Sequence, residues 1–367
     1  MGYGGQRITG WYFNGVLSTR NLRQRFSPHA SRLRTYVIKY SMPKNPKINI
    51  ALVCTKGGHF EQMTNLSDFY DRYNHFWITN RNKQTETQLK NERTFYIETA
   101  HFTRPWTYLS HITPVLKIFA REKPTHVLST GSGRTALLPF LLSRLLGLKF
   151  IFIDTFSRVH GHSKFATFLL KTGNKIYTQW ETSKNEKAIY IGPIFKGQER
   201  CNKRHDSEYI FVTVGTRDEP YTRLLKGVDD LVKKGVIKAK VVIQAGHTKF
   251  NSDAVKTFDF CKPEQVDEFI LNAKYVITQE SAGIGTQCLR HGTRFIVMPR
   301  DYQYGELPTR SDMKEDLHCR LEELGYTKVV TNTDELETAI QNINNLKTGF
   351  KFDNSLAIQT LENMVEK

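Results

Sequence analysis

Acidic side chains are missing from the first 47 residues of this chain, which hold nine Lys and Arg but no Asp or Glu. The rest carries the other 44 of the 53 basic residues against all 36 acidic ones, so more than half of the +17 net charge sits in that arm. Such an imbalance calls for an anionic partner: nucleic acid, anionic lipid or a phosphorylated substrate. Cysteine is sparse as well. Five residues (Cys54, Cys201, Cys261, Cys288, Cys319) are scattered without a C-x-x-C pair, which excludes a disulfide framework and a zinc ribbon and fits reduced thiols in the cytoplasm. Long hydrophobic runs are lacking too. The most apolar stretch, "ALLPFLLSRLLGLKFIFI" at 136–153, is interrupted by Arg144, Gly147 and Lys149, short of the ~20 residues that a spanning helix requires. No Walker A lysine motif, G-x-S-x-G, H-E-x-x-H, internal repeat or low-complexity tract is present.

What is there, from residue 48 onward, is a regular alternation. Apolar or β-branched runs ("INIALVCT", "HFWIT", "FYIET", "HVLST", "KFIFID", "KIYTQW") alternate with helical patterns at 60–72, 107–121, 134–146 and 163–172. This rhythm predicts a parallel sheet with crossover helices. Residues 196–208, "KGQERCNKRHDSE", have no periodicity and read as a linker. The rhythm restarts with "YIFVTVG", then helices at 220–234, 263–273 and 284–291 between further short strands. The expected class is therefore α/β, with two Rossmann-like doubly wound domains. Its segments are a basic arm 1–47, a first domain 48–195, the linker, a second domain 209–348, and a C-terminal helix 349–367 that folds back on the first domain. Ligands in such sheets lie at the carboxyl ends of the strands, here in the cleft between the domains.

Three glycine loops occupy those strand ends. In "ALVCTKGGHFEQM", Gly57 and Gly58 let backbone N–H groups approach a ligand, and His59 opens the next helix as a base or a donor to phosphate. The competing reading is a tight turn with a solvent-facing histidine. In "STGSGRTALLPF", Thr130, Gly131, Ser132, Gly133 and Arg134 form either an anion cradle or a turn for close helix packing. At the head of the second domain, Gly215, Thr216 and Arg217 end a strand, and Arg217 and Arg223 face a diphosphate or form an ion-paired helix entrance. "VITQESAGIGTQCLRHG" supplies a further small-residue loop, Ser281, Ala282 and Gly283. Asp154, ending "FIFID", is a candidate cleft carboxylate, while His160 and His162 lack a third ligand at metal spacing.

Taken in order, these stretches resemble a fusion of the two halves of the PssD/PssE (EpsF-type) polysaccharide glycosyltransferases. The chain is similar also to the two-subunit eukaryotic enzyme that adds the second N-acetylglucosamine to dolichol-diphosphate N-acetylglucosamine, and more distantly to MurG. The resemblance covers roughly residues 48–330. It implies a GT-B fold and an inverting, metal-independent transfer of a hexosyl group, N-acetylglucosamine as the first choice, from a UDP-sugar to a polyprenyl-linked acceptor. It also implies peripheral attachment to the inner, cytoplasmic face of an anionic membrane, with no cofactor and no nucleic-acid partner. By position, His59 and Asp154 take the catalytic places. Gly57, Gly58 and the 130–134 loop would bind the acceptor. Gly215, Thr216, Arg217, Gln279, Ser281, Ala282, Gly283, Gln287, Glu306 and Asp312 would bind the donor.

The chain departs from the family pattern in places. Where the family has Thr/Ser-His-x-Gly, this chain has Thr278-Gln279-Glu280-Ser281; Gln287 stands in the place of a ribose-binding glutamate, and Gly305-Glu306-Leu307 replaces a glycine-glutamate-histidine motif, with Ser311 and Asp312 after it. Glucuronic acid or galactose as the transferred sugar, and a catalytically silent sugar-binding subunit, remain open at this stage. So does the arm, which reads as a membrane-surface segment, a disordered tail or a transit peptide.

Overall fold

The computed structural model describes residues 45–98, 106–197, 208–308 and 316–367. Most of the expected arm and of the expected linker lies outside the described residues, and residues 45–47 of the arm already belong to the first strand. In the first domain the strands are β1 (Asn45–Cys54), β2 (Tyr73–Thr79), β3 (Thr94–Tyr96), β4 (His126–Thr130), β5 (Lys149–Ile153), β6 (Ile176–Thr178) and β7 (Ala188–Tyr190). They form one sheet of order β3-β2-β1-β4-β5-β6-β7, with every pairing parallel. β1 is central and buried on both faces, because its run Ile50, Ala51, Leu52, Val53 has no polar alternation. The crossover helices are α1 (Gly58–Thr64), α2 (Ser67–Tyr70), α3 (Lys83–Gln88), α4 (Trp106–Glu122), α5 (Gly133–Leu146) and α6 (Lys164–Lys171).

The single helix expected at 60–72 is two short ones. Asn65 breaks it: its amide donates to Glu61 O at 2.7 Å, and its Oδ1 accepts the N–H of Lys196 at 3.2 Å. A side chain that bonds locally and to a distant segment competes with continued helix.

The second domain holds β8 (Tyr209–Thr213), α7 (Thr222–Lys233), β9 (Lys240–Gln244), β10 (Lys256–Phe258), α8 (Pro263–Asn272), β11 (Val276–Thr278), α9 (Ala282–His291), β12 (Phe295–Val297), α10 (Asp316–Glu323), β13 (Thr327–Val329) and α11 (Thr333–Gln341). Its parallel sheet runs β10-β9-β8-β11-β12-β13.

All described residues belong to one unit, Met42–Lys367. The last helix, α12 (Ser355–Glu366), buries Ala357, Ile358, Leu361 and Val365 among the apolar residues of the first domain. Tyr73 donates its hydroxyl to Glu366 at 2.9 Å, and Arg72 pairs with Glu362. A second link between the domains is aromatic. Phe156 stacks on Trp180 with centroids 4.8 Å apart, and it joins Phe195 and Phe352 in a cluster that continues into Phe211, Phe295 and Leu317 of the second domain. Phe156, Phe195 and Phe352 are buried and Trp180 half-buried in this shared cluster, which packs the two domains on each other beside the cleft between them.

Candidate functional site

A polar cavity of about 410 Å³ lies in that cleft. From the first domain it is lined by His59, Gly131, Thr155, Ser157, Arg158 and Ser163, and from the second by Arg217, Gln279, Glu280, Ser281, Ala282, Asp316, Leu317 and His318.

His59 is held by the neighbouring strand end. Thr130 donates its hydroxyl to the His59 carbonyl at 2.9 Å, and the imidazole lies so close over Gly131 that a Cβ there would collide with it. Gly131 also has φ 75°, so both the close approach and the backbone require glycine. The expected acceptor loop thus divides by task. Gly131 reaches the cavity, Ser132 caps α5 by accepting the Arg134 N–H at 3.4 Å, and Gly133 packs under Phe165, where a Cβ would come within 2.8 Å. Arg134 is exposed and is not among the lining residues. At Gly57 and Gly58 an added Cβ would meet nothing within 4 Å, so open space does lie beside that turn.

Asp154 is placed otherwise than expected of a cleft carboxylate. It is 2% exposed; it accepts N–H groups from Thr155 at 2.9 Å and Ser163 at 3.0 Å, and His162 lies 3.6 Å away. Its carboxylate shapes the 155–163 loop, and that loop brings Arg158 and Ser157 to the cavity. These two were missed in the sequence. Their only signal was position, directly after the carboxyl end of β5.

On the second domain, α9 aims its N-terminus at the cavity, with Ser281 as the cap accepting the Ile284 N–H at 3.4 Å. Arg217 lines the cavity from the same domain, 3.9 Å from Glu219. Glu306 is a correction: its carboxylate does not face the cavity. It is 3% exposed and accepts two hydrogen bonds from Arg223, at 3.0 and 2.8 Å, and one from the Asp301 N–H at 2.8 Å. A carboxylate held this way braces the loop, and Arg223, the second diphosphate candidate, is used up in the same pair. Gly215, two residues beyond β8, is not among the lining residues, nor are Thr216, Gly283 and Gln287, whose Oε1 is buried without a hydrogen-bond partner among the described residues. Asp312 and Ser311 lie outside the described residues.

His318 was not foreseen. It comes from α10, is 2% exposed, and burial pushes its pKa down to about 4 against an opposing hydrogen bond with the Ser281 backbone, so it is neutral at pH 7. Chemically the cavity combines one imidazole on the first domain with an Arg, an amide side chain and a helix N-terminus on the second. That set suits an anion on one side and proton removal on the other.

No protein-family profile matches the chain, and no curated protein does. Solved structures do match. UDP-GlcNAc 2-epimerase from Methanocaldococcus jannaschii is similar over 87% of this chain and 100% of its own, with 12% identity and a TM-score of 0.63. MurG from Acinetobacter baumannii matches over 87% of this chain and 99% of its own, at 13% identity and TM-score 0.58. A UDP co-structure of S. aureus MnaA matches over 87% and 96%, at 13% identity and TM-score 0.61. The two parallel sheets, facing strand ends and returning C-terminal helix are the GT-B arrangement.

Proposed function

We propose that this protein is an inverting glycosyltransferase that moves a hexosyl group, N-acetylglucosamine first among the candidates, from a UDP-sugar to a polyprenyl-linked sugar. One observation carries the reading: a single cavity sets His59 of the first domain opposite Arg217, Gln279 and the N-terminus of α9. Two of the similar structures, MnaA and the M. jannaschii epimerase, were solved with UDP or with UDP-GlcNAc and UDP, which supports a uridine diphosphate as the ligand of the same fold. In this reading His59 takes the proton of the acceptor hydroxyl while that oxygen bonds to the anomeric carbon. The bond from that carbon to the diphosphate breaks, and UDP leaves on the opposite face. Arg217 and the amides at the start of α9 stabilise the departing charge, so the reading requires no metal.

Attachment to an anionic membrane is supported by the outer face of α4, α5 and α6. Ile112, Leu116, Leu141, Leu145, Leu146 and Phe168 are all exposed large apolar side chains there. Between residues 106 and 175 stand ten Lys and Arg against two acids, Glu122 and Asp154, both buried. An apolar face within a purely cationic field matches a lipid surface carrying negative headgroups.

Glu280 and Asp316, which line the same cavity, favour a second reading, epimerisation of the sugar on UDP, because a carboxylate can act as a base or acid at carbon. The deciding experiment measures UDP release and sugar stereochemistry with a panel of UDP-sugars, with and without a polyprenyl-diphosphate sugar in detergent. Acceptor-dependent UDP release that is lost in His59→Ala supports transfer and names the sugar. An altered UDP-sugar formed without acceptor establishes the second reading. Binding without turnover in either assay would leave a silent sugar-binding subunit.

A further inference from the structure

Gln279 follows β11, lines the cavity and is only 6% exposed. The orientation of its amide is dictated from behind. Arg300, 1% exposed, donates its Nε–H to Gln279 Oε1. A guanidinium has donors only, so the amide atom facing it must be the carbonyl oxygen, and the NH₂ must take the other end. That NH₂ lies directly against Gly215, where an added Cβ would collide with Nε2. Gly215 has φ 71° and lies in the loop after β8 that carries Arg217 to the cavity. Position 279 therefore presents N–H donors and no acceptor. A histidine there, as the resemblance leads one to expect, could do either according to its tautomer.

Arg300 is itself immobilised. Nη1 donates to Glu219 O at 2.7 Å and, more weakly, to Glu306 O at 3.3 Å and Pro220 O at 3.4 Å; Nη2 donates to Val214 O at 3.1 Å. Its plane lies 4.7 Å over the Tyr221 ring, and its main-chain N–H reaches Glu280 at 2.8 Å. Every hydrogen-bond acceptor of the guanidinium among the described residues is a neutral amide oxygen. The charge is therefore buried without a hydrogen-bonded carboxylate, and a cation in that state polarises the amide it holds.

We propose that Gln279, locked by Arg300, is the side-chain donor to the diphosphate of the nucleotide, and that Arg300 is the positioning residue whose buried charge acts on the diphosphate through that amide. This rests on the reading of the cavity as a UDP-sugar site.

Gln279→Glu tests it. The new carboxylate keeps its bond to Arg300, so the fold persists, but the end at Gly215 changes from donor to charged acceptor. Calorimetric titration with UDP, ligand-observed NMR with uridine, and thermal unfolding are compared with the unsubstituted protein. The expected result is an unchanged or raised Tm, uridine affinity within about twofold, and UDP binding at least about tenfold weaker, since like charges placed together are strongly unfavourable. Arg300→Lys, which keeps the charge but loses the fork, is expected to lower the UDP-to-uridine affinity ratio in the same direction. UDP bound as tightly by Gln279→Glu as by the unsubstituted protein would overturn the proposal. So would equal weakening of UDP and uridine, which would assign Gln279 to the nucleoside. If the unsubstituted protein binds neither ligand, the UDP-sugar reading fails with it, an outcome distinct from the other two.

Discussion

Asp316, the first residue of α10 in the second domain, accepts the main-chain N–H of Val159 in the first domain at 2.8 Å, and that of His160 at 3.2 Å. One carboxylate thus ties the cavity loop of one domain to the helix of the other. Asp316→Ala removes charge-assisted hydrogen bonds and should cost about 1–3 kcal/mol of stability. Hydrogen exchange at Val159 and His160 should accelerate, and KM for donor and acceptor should rise together. Unchanged exchange at those two amides would show that the link does not hold the cleft.

His59 and Gly131 form the second testable relationship. His59→Ala removes the proposed base and should lower kcat by about 10²–10⁴-fold. Because the side chain lies at the cavity and not in either core, its Tm should stay close to that of the parent protein. Gly131→Ala should reduce activity by displacing the imidazole, and should also cost about 1–3 kcal/mol for a residue with a Cβ at positive φ. Full activity in Gly131→Ala would mean that the position of the imidazole does not matter.

Two buried histidines set an acid limit. Burial lowers His318 to about 4, and burial followed by the nearby Lys149 charge lowers His126 to about 4, against an ordinary 6.5 for each. Between those values the unfolded chain binds protons that the folded chain refuses, so stability is full above pH 6.5 and falls as pH drops toward 4. Each residue should cost on the order of 2 kcal/mol on going from pH 7 to 4.5. Urea unfolding across this range measures the slope, and His318→Gln, which does not titrate there, should remove its share. An identical slope in the variant would mean that His318 is protonated in the folded state.

Leu145, 78% exposed, is the most exposed large apolar side chain of α4–α6 among the described residues. Leu145→Glu should leave folding intact and weaken sedimentation with vesicles containing anionic lipid by about fivefold, near the ~1 kcal/mol expected for one charge at such a surface. UDP binding, measured without lipid, should be unaffected. Undiminished vesicle binding would place the membrane contact elsewhere.

The alternation of short apolar runs with helical patterns, read in residue order, determined much of this protein. It specified two parallel sheets, the glycine loops at their strand ends and the place of His59, because strand period, crossover length and glycine turns are local properties written in neighbouring residues. The tertiary structure decided which of the polar residues face the cavity. Asp154 and Glu306 read as site carboxylates, yet both are occupied: Asp154 by the N–H groups of Thr155 and Ser163 in its own loop, Glu306 by Arg223 from α7 and by the nearby Asp301 N–H. Arg158, Asp316 and His318 enter the cavity from a loop and a helix that have no motif. Whether an ionisable side chain faces a ligand or an internal partner depends on which groups the folded loops and helices bring to it, and that is settled only in three dimensions.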